Sequence, residues 1–202
     1  MGMSNAALRM GFAVFLAALL AGCGGGGGGA DADSEIAPLG GSADGRHGPP
    51  PRPLTCTQLA GKTIPASSID LPTSGATVTS AVVVAAAGTG AAAIPEHCLV
   101  NGKISPIDTS APDILFRVAL PTDWNAKVVM FGGGGFNGTI PNVAGNVPAG
   151  PTDQLRPLGR GYATFASDSG HQANALGSLD GSFGLNDEAI RNWSGEALKK
   201  TR

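Results

Sequence analysis

The sequence predicts an α/β fold, with a sheet built early in its folded part and a helix packed late. Three observations carry that expectation. Runs rich in β-branched and apolar residues recur between positions 77 and 166, as strands require. One of them, Val128–Phe131 after Lys127, is apolar without alternation and ends in four glycines, the pattern of a strand buried on both faces. The stretch from Asn186 reads as a capped helix, and strands followed by a helix point to an α/β arrangement.

The chain does not enter that fold at its first residue. Arg9 precedes a short apolar run, Met10–Leu20, and then Leu20-Ala21-Gly22-Cys23. The run is shorter than the roughly 20 residues a membrane-spanning helix needs, but it suits the apolar region of a signal peptide. The four residues around the cysteine look like a bacterial lipobox. Residues 1–22 are therefore expected to be a lipoprotein signal peptide, and Cys23 the site of lipidation. The competing reading is an ordinary signal peptide with an incidental cysteine. Gly24, rather than Asp, after the cysteine permits outer-membrane delivery; the protein is expected to be exported and lipid-anchored to a bacterial membrane, the outer one in the first instance, or else periplasmic or extracellular. Residues 23–54 read as a flexible, disordered, Gly/Pro-rich tether. Gly24–Gly29 is an unbroken glycine run too costly in entropy for regular structure, and Pro49-Pro50-Pro51 with Pro53 stiffens the far end. His47 lies in this tract and is expected in solvent.

The folded part is expected over 55–202, long enough for one modest core. Cys56 and Cys98 remain once Cys23 is set aside. In an exported domain two such cysteines most simply pair, and a bridge closing a loop of this length stabilises by about 4 kcal/mol in the chain-entropy account. A metal site with His97, or a reactive thiol, are the alternatives. Thr77–Val84 reads as a strand. Cys98-Leu99-Val100 leads into Asn101-Gly102, a strong hairpin signal because both residues tolerate positive φ. Ile114, Phe116, Val118 and Leu120 alternate with Leu115, Arg117 and Ala119, as in a strand packed mainly on one side. Gly161–Ala166 reads as a further buried strand. In the helix, Asn186 caps, Asp187 and Glu188 meet the positive end of the dipole, and Ile190, Trp193 and Ala197 share a face. Lys199, Lys200 and Arg202 fall in its last turn.

Gly132-Gly133-Gly134-Gly135 follows a strand directly. Glycines there strip away side chains, so backbone N–H groups can approach a ligand and point at an oxyanion. A phosphate-binding loop would end in Gly-Lys-Ser/Thr, which Phe136-Asn137-Gly138 does not supply. A dinucleotide fingerprint would open a helix at once and place an acid about 20 residues on, whereas Pro141, Pro148 and Pro151 promise an irregular segment. A plain surface loop remains the other reading.

Leu120-Pro121-Thr122-Asp123-Trp124-Asn125, running into Val128–Gly138, resembles the tannase/feruloyl esterase family. So does Gly161-Tyr162-Ala163-Thr164, followed by Ser167-Asp168-Ser169-Gly170-His171. The resemblance covers roughly 56–202, and the cysteine pair matches the family's N-terminal disulfide. It implies the N-terminal part of an α/β-hydrolase sheet and a serine carboxylesterase acting on small aromatic acid esters. It further implies an oxyanion hole drawing on Gly132, Gly133 and Gly134, with Asp168 and His171 as buried, hydrogen-bonded support near the site. No cofactor is implied for this segment; calcium, which relatives often bind, would belong to a lid domain inserted later.

The family's Gly-Cys-Ser elbow is not among these residues, and Asp180-Gly181-Ser182-Phe183-Gly184 is its nearest approach. Nucleophile, acid and base are therefore expected downstream of Arg202, in a protein of which this is an N-terminal fragment, inactive alone. Asp168, Ser169 and His171 are too crowded in one turn to act as a triad, and no third ligand joins Asp168 and His171 in a metal site. With 13 basic and 15 acidic residues, nothing suggests nucleic acid. Expected partners are an aromatic ester and, through Cys23, a membrane; oligomeric state is left open. The alternative function is a non-catalytic, lipid-anchored binding or surface module that keeps part of an esterase fold.

Overall fold

A computed structural model describes residues 54–147 and 150–202. The expectations for Cys23, His47 and the tether lie outside these described residues. The chain builds one mixed sheet of six strands: β1 (Thr63–Ile64), β2 (Gly75–Val84), β3 (His97–Ser105), β4 (Ile114–Pro121), β5 (Val128–Phe131) and β6 (Ala163–Ser167), in the order β1-β2-β3-β4-β6-β5. All neighbours are antiparallel except β5 and β6, which run parallel. The chain thus skips one position after β4, lays down β5, and returns to fill the gap with β6. That return runs through the irregular, proline-rich segment expected after the glycines.

Alternation along the strands divides the core between two faces. Cys98, Val100 and Ile104 of β3 share one face with Val78 and Ala76 of β2 and with Ile114 and Phe116 of β4. The short 3₁₀ turn Cys56–Leu59 covers one end of this face, and Ala197 of the C-terminal helix covers the other. On the opposite face Leu99, Ala119, Phe131 and Ala166 pack under Val143, Leu158 and Ile140. β4 is therefore packed on both sides, with Ala119 fully buried, rather than mainly on one. A disulfide joins Cys56 to Cys98 and pins the covering turn to the sheet.

Two strand expectations fail for physical reasons. Asn101-Gly102 makes no hairpin: β3 runs straight through it and pairs with β2 and β4 on both sides. A Cβ at Gly102 would collide with the Phe116 ring, so this glycine makes room for a cross-strand aromatic instead of a turn. Asn101 donates to Ser80 Oγ at 3.0 Å and accepts from Arg117 Nε at 2.7 Å, opposite a register shift between Val78 and Ser80. β5 is not buried on both faces. It is an edge strand with Val128 55% exposed, because its apolar side chains have β6 as their single strand neighbour among the described residues.

The helix is capped as expected, Asn186 Oδ1 accepting from Ala189 N at 2.9 Å. It does not run smoothly. After α1 (Asp187–Arg191) a π-helical stretch, Asn192–Glu196, kinks at Gly195 (φ 151°) before α2 (Ala197–Thr201). The expected face therefore dissolves: Ile190 and Trp193 are each 38% exposed, while Ala197 is buried. The inward residues are mostly polar instead. Lys200 Nζ, in the last turn, is buried against Asn192 Oδ1 at 2.9 Å and Glu196 Oε2 at 3.1 Å. The buried Glu188 carboxylate, 3.9 Å from the same ammonium, accepts from the backbone N–H groups of Ile107 and Asp108. A buried charge must be paired and hydrogen-bonded to be tolerated, and each of these is.

Candidate active site

β5 delivers the chain into Gly132–Gly135 at the end of the parallel β5–β6 pair. The loop is tied down from its far side. Phe136 N donates to Ser178 O at 2.8 Å, Asn137 N to Gly134 O at 2.9 Å, and Gly138 N to Asp168 O at 3.2 Å. Ala173 N returns a bond to Gly138 O at 2.9 Å. The loop is thus held by the segment that follows β6.

The four glycines are not equivalent. A Cβ at Gly133 would fall on Asn137 Oδ1, and one at Gly135, where φ is 59°, would lie 2.5 Å from Ser178 O. The fold itself demands glycine at those two positions. A Cβ at Gly132 or Gly134 would meet nothing within 4 Å, and neither has positive φ. All four residues are exposed. Among the described residues, the N–H groups of Gly133, Gly134 and Gly135 find no acceptor. Exposed, unpaired and held on a constrained loop, such donors can bind developing negative charge.

Asp168 lies at the end of β6 and is buried. Its Oδ1 accepts from Leu115 N at 3.1 Å and Gly170 N at 2.9 Å, and its Oδ2 from Gln172 Nε2 at 2.7 Å. Burial nevertheless pushes its carboxyl up to about 6, against the lowering effect of those bonds. His171 is equally buried, its ring stacked on Phe183 at 4.1 Å. A Cβ on Gly138 would sit 2.9 Å from His171 Nε2, so the imidazole is wedged between the loop and Phe183. Asp168 has the hydrogen bonds expected of it; neither ring nitrogen of His171 has a partner among the described residues. Burial holds the imidazole below its usual pKa, partly countered by the nearby Asp180 carboxylate. Asp180 is in turn held low by the N–H groups of Asn174 and Ser182.

Asp168, Ser169 and His171 do not form a triad. Ser169 Oγ accepts from Asn137 Nδ2 at 2.8 Å, and Asp168 is committed to Leu115, Gly170 and Gln172. Among the described residues no group of three metal-ligating side chains occurs.

Two features escaped sequence reasoning. Phe136, directly after the loop, meets Phe183 edge-on at 5.8 Å and Trp193 at 5.6 Å, and those two are 5.4 Å apart. Their positions span nearly 60 residues of chain, so no local pattern announces the cluster. Asn137 adopts positive φ (62°) and is buried; the tetraglycine just before it hid its own demand.

Residues 98–202 match the family described as tannase and feruloyl esterase. An esterase of Agrobacterium fabrum, itself uncharacterized, is 44% identical over 145 residues, covering 72% of this chain and 26% of that protein. Mono(2-hydroxyethyl) terephthalate hydrolase of Piscinibacter sakaiensis is 38% identical over 114 residues, covering 52% of this chain and 18% of that protein. An esterase structure from Aspergillus oryzae aligns with a TM-score of 0.45 and 18% identity, over 71% of this chain and 27% of that one. The chain spans about a quarter or less of the length of the curated relatives it matches.

Proposed function

Because this chain belongs to the tannase and feruloyl esterase family, we propose that it forms the oxyanion-binding segment of a carboxylic ester hydrolase acting on aromatic acid esters. The observation that carries the reading is the loop after β5, with the N–H groups of Gly133, Gly134 and Gly135 unpaired and exposed. In serine hydrolases of α/β architecture one oxyanion donor comes from such a loop, ahead of the nucleophile in the chain. Here Gly132, Gly133 and Gly134 receive the carbonyl oxygen as it takes on charge, and the nucleophile, acid and base lie in sequence downstream of Arg202. The aromatic acyl group is supported by the similarity to the tannase and feruloyl esterase family and to the terephthalate ester hydrolase. The reading includes export with a lipid anchor at Cys23 and a tether over 23–54, holding the esterase on the membrane of the cell envelope.

The test joins this segment to its downstream reading frame and assays p-nitrophenyl and hydroxycinnamoyl esters. Gly134→Pro, which deletes an unpaired N–H at a residue without positive φ, should lower kcat by about 10²-fold in a variant that still unfolds cooperatively. An unchanged kcat would remove the oxyanion role. The 202-residue chain by itself should show no turnover; turnover abolished by Ser169→Ala would overturn the placement of the nucleophile downstream. A reading frame that stops after Arg202 would favour a non-catalytic surface module.

A further inference from the structure

We infer that Asn137 is the positioning residue that sets the glycine loop's donors, acting as a clasp between the loop and the end of β6. The inference rests on the oxyanion reading of that loop. Three non-glycine residues among those described have positive φ: Ala126, Asn137 and Ser169. Two of them, Asn137 (φ 62°) and Ser169 (φ 67°), are hydrogen-bonded to each other. Left-handed backbone at non-glycine residues is costly and persists where the surroundings over-determine it. Here what surrounds it is the loop.

Asn137 is 6% exposed, and its side chain works in both directions. Its Nδ2 donates to Ser167 O at 3.1 Å and to Ser169 Oγ at 2.8 Å. Ser167 O can only accept, so the amide orientation is fixed by its partner. Its Oδ1 then lies over the α-carbon of Gly133, where any Cβ would collide with it. The amide therefore presses on the middle of the loop while gripping the strand beside it. Asn137 N closes the turn on Gly134 O at 2.9 Å. Glycines 132 and 134 meet no steric demand from the fold, so within the loop the Asn137 contacts add a restraint to the backbone bonds that tie down its far side. Donor placement matters at this scale, since an error of about 1 Å can cost 10²-fold in rate.

The decisive variant is Asn137→Gly, because glycine adopts φ near 62° without strain and loses only the clasp. In the full-length esterase it should lower kcat about tenfold or more, change KM less than about twofold, and leave the melting temperature within a few degrees. Ser169→Gly severs one of the two bonds and should lower kcat less. The double variant should fall short of the product of the two losses, since they share one hydrogen bond. In the 202-residue chain, Asn137→Gly should shift the amide resonances of Gly133 and Gly134 and lower their backbone order parameters, while those of β3 stay in place. Gly134→Pro, which deletes the donor itself, separates the two ideas. If it leaves kcat intact, the oxyanion reading fails and the clasp has nothing to position. If Gly134→Pro lowers kcat but Asn137→Gly does not, the clasp is overturned while the oxyanion reading stands. Should Asn137→Gly fail to fold, Ser169→Gly with unchanged kcat and unchanged loop resonances overturns it equally.

Discussion

The two ends of the sheet solve opposite problems. Around β2, β3 and β4, strands pair on both sides, a disulfide pins the covering turn, and Asn101 is hydrogen-bonded to both neighbouring strands. Around β5 and β6, three glycine N–H groups lack acceptors and a buried imidazole has no partner among the described residues. Buried polar groups are normally satisfied. Exposed valines occur at both ends, Val82 and Val83 on β2 and Val128 on β5, so the difference lies in hydrogen bonding rather than in apolar exposure. The first region is built for stability, and the second leaves groups available.

The largest test of that contrast removes the disulfide. Replacing Cys56 and Cys98 together by serine should cost about 4 kcal/mol, as expected for a closed loop of 42 residues. Urea unfolding would measure the loss. Native-state hydrogen exchange would locate it: protection should fall in β2, β3 and β4, while the amides of Gly133–Gly135 exchange fast with or without the bridge. Protection lost evenly across the molecule, with loop amides slow in the parent, would mean that the two ends are one cooperative unit.

What could be read ahead of the structure follows the same division. β2, β4 and β6 announced themselves by β-branched content and alternation, the cysteine pair by export logic, and Asn186 by its cap, because each depends on nearby residues. Asn101-Gly102 misled because its turn preference is overridden by the Phe116 ring lying across the glycine, a contact between strands. β5 reads as buried on both faces because apolar content does not report strand order, and strand order puts it at an edge. The loop's glycines were legible, but not which of them the fold requires. That depends on Asn137 and Ser178, and the Phe136–Phe183–Trp193 cluster depends on a kinked helix. Long-range packing of this kind leaves no periodic trace.

The second test is pH. Asp168 titrates at about 6 in the fold against 3.8 for an unperturbed carboxyl. Between those values the native state holds the proton more tightly, so its contribution is fully present below about pH 4 and is lost as pH rises through 6. The separation corresponds to on the order of 3 kcal/mol. His171 works the other way: held below 6.5, it costs stability as pH falls beneath that value. Chemical denaturation from pH 4 to 7 should show stability declining with rising pH, and Asp168→Asn should leave only the opposite, His171 slope. A parent protein that gains stability over this range would mean that the three donors around Asp168 outweigh its burial, and that β6 ends as well satisfied as β3.

The finest test compares two glycines, one from each end, under the same substitution. At Gly102 a new methyl would strike the Phe116 ring, itself buried between strands, and the ring can yield only by leaving its place in the core. Overpacking of this kind costs about 1–3 kcal/mol. At Gly132 the methyl would meet nothing within 4 Å and φ is ordinary, so stability should stay within about 0.5 kcal/mol, or rise slightly as the unfolded chain loses freedom. Thermal unfolding of Gly102→Ala and Gly132→Ala, side by side, decides it. Equal losses would show that Gly132 is required by the fold itself. A loss confined to Gly102 leaves the glycine at 132 without a structural reason and strengthens the case that something outside the described residues approaches it.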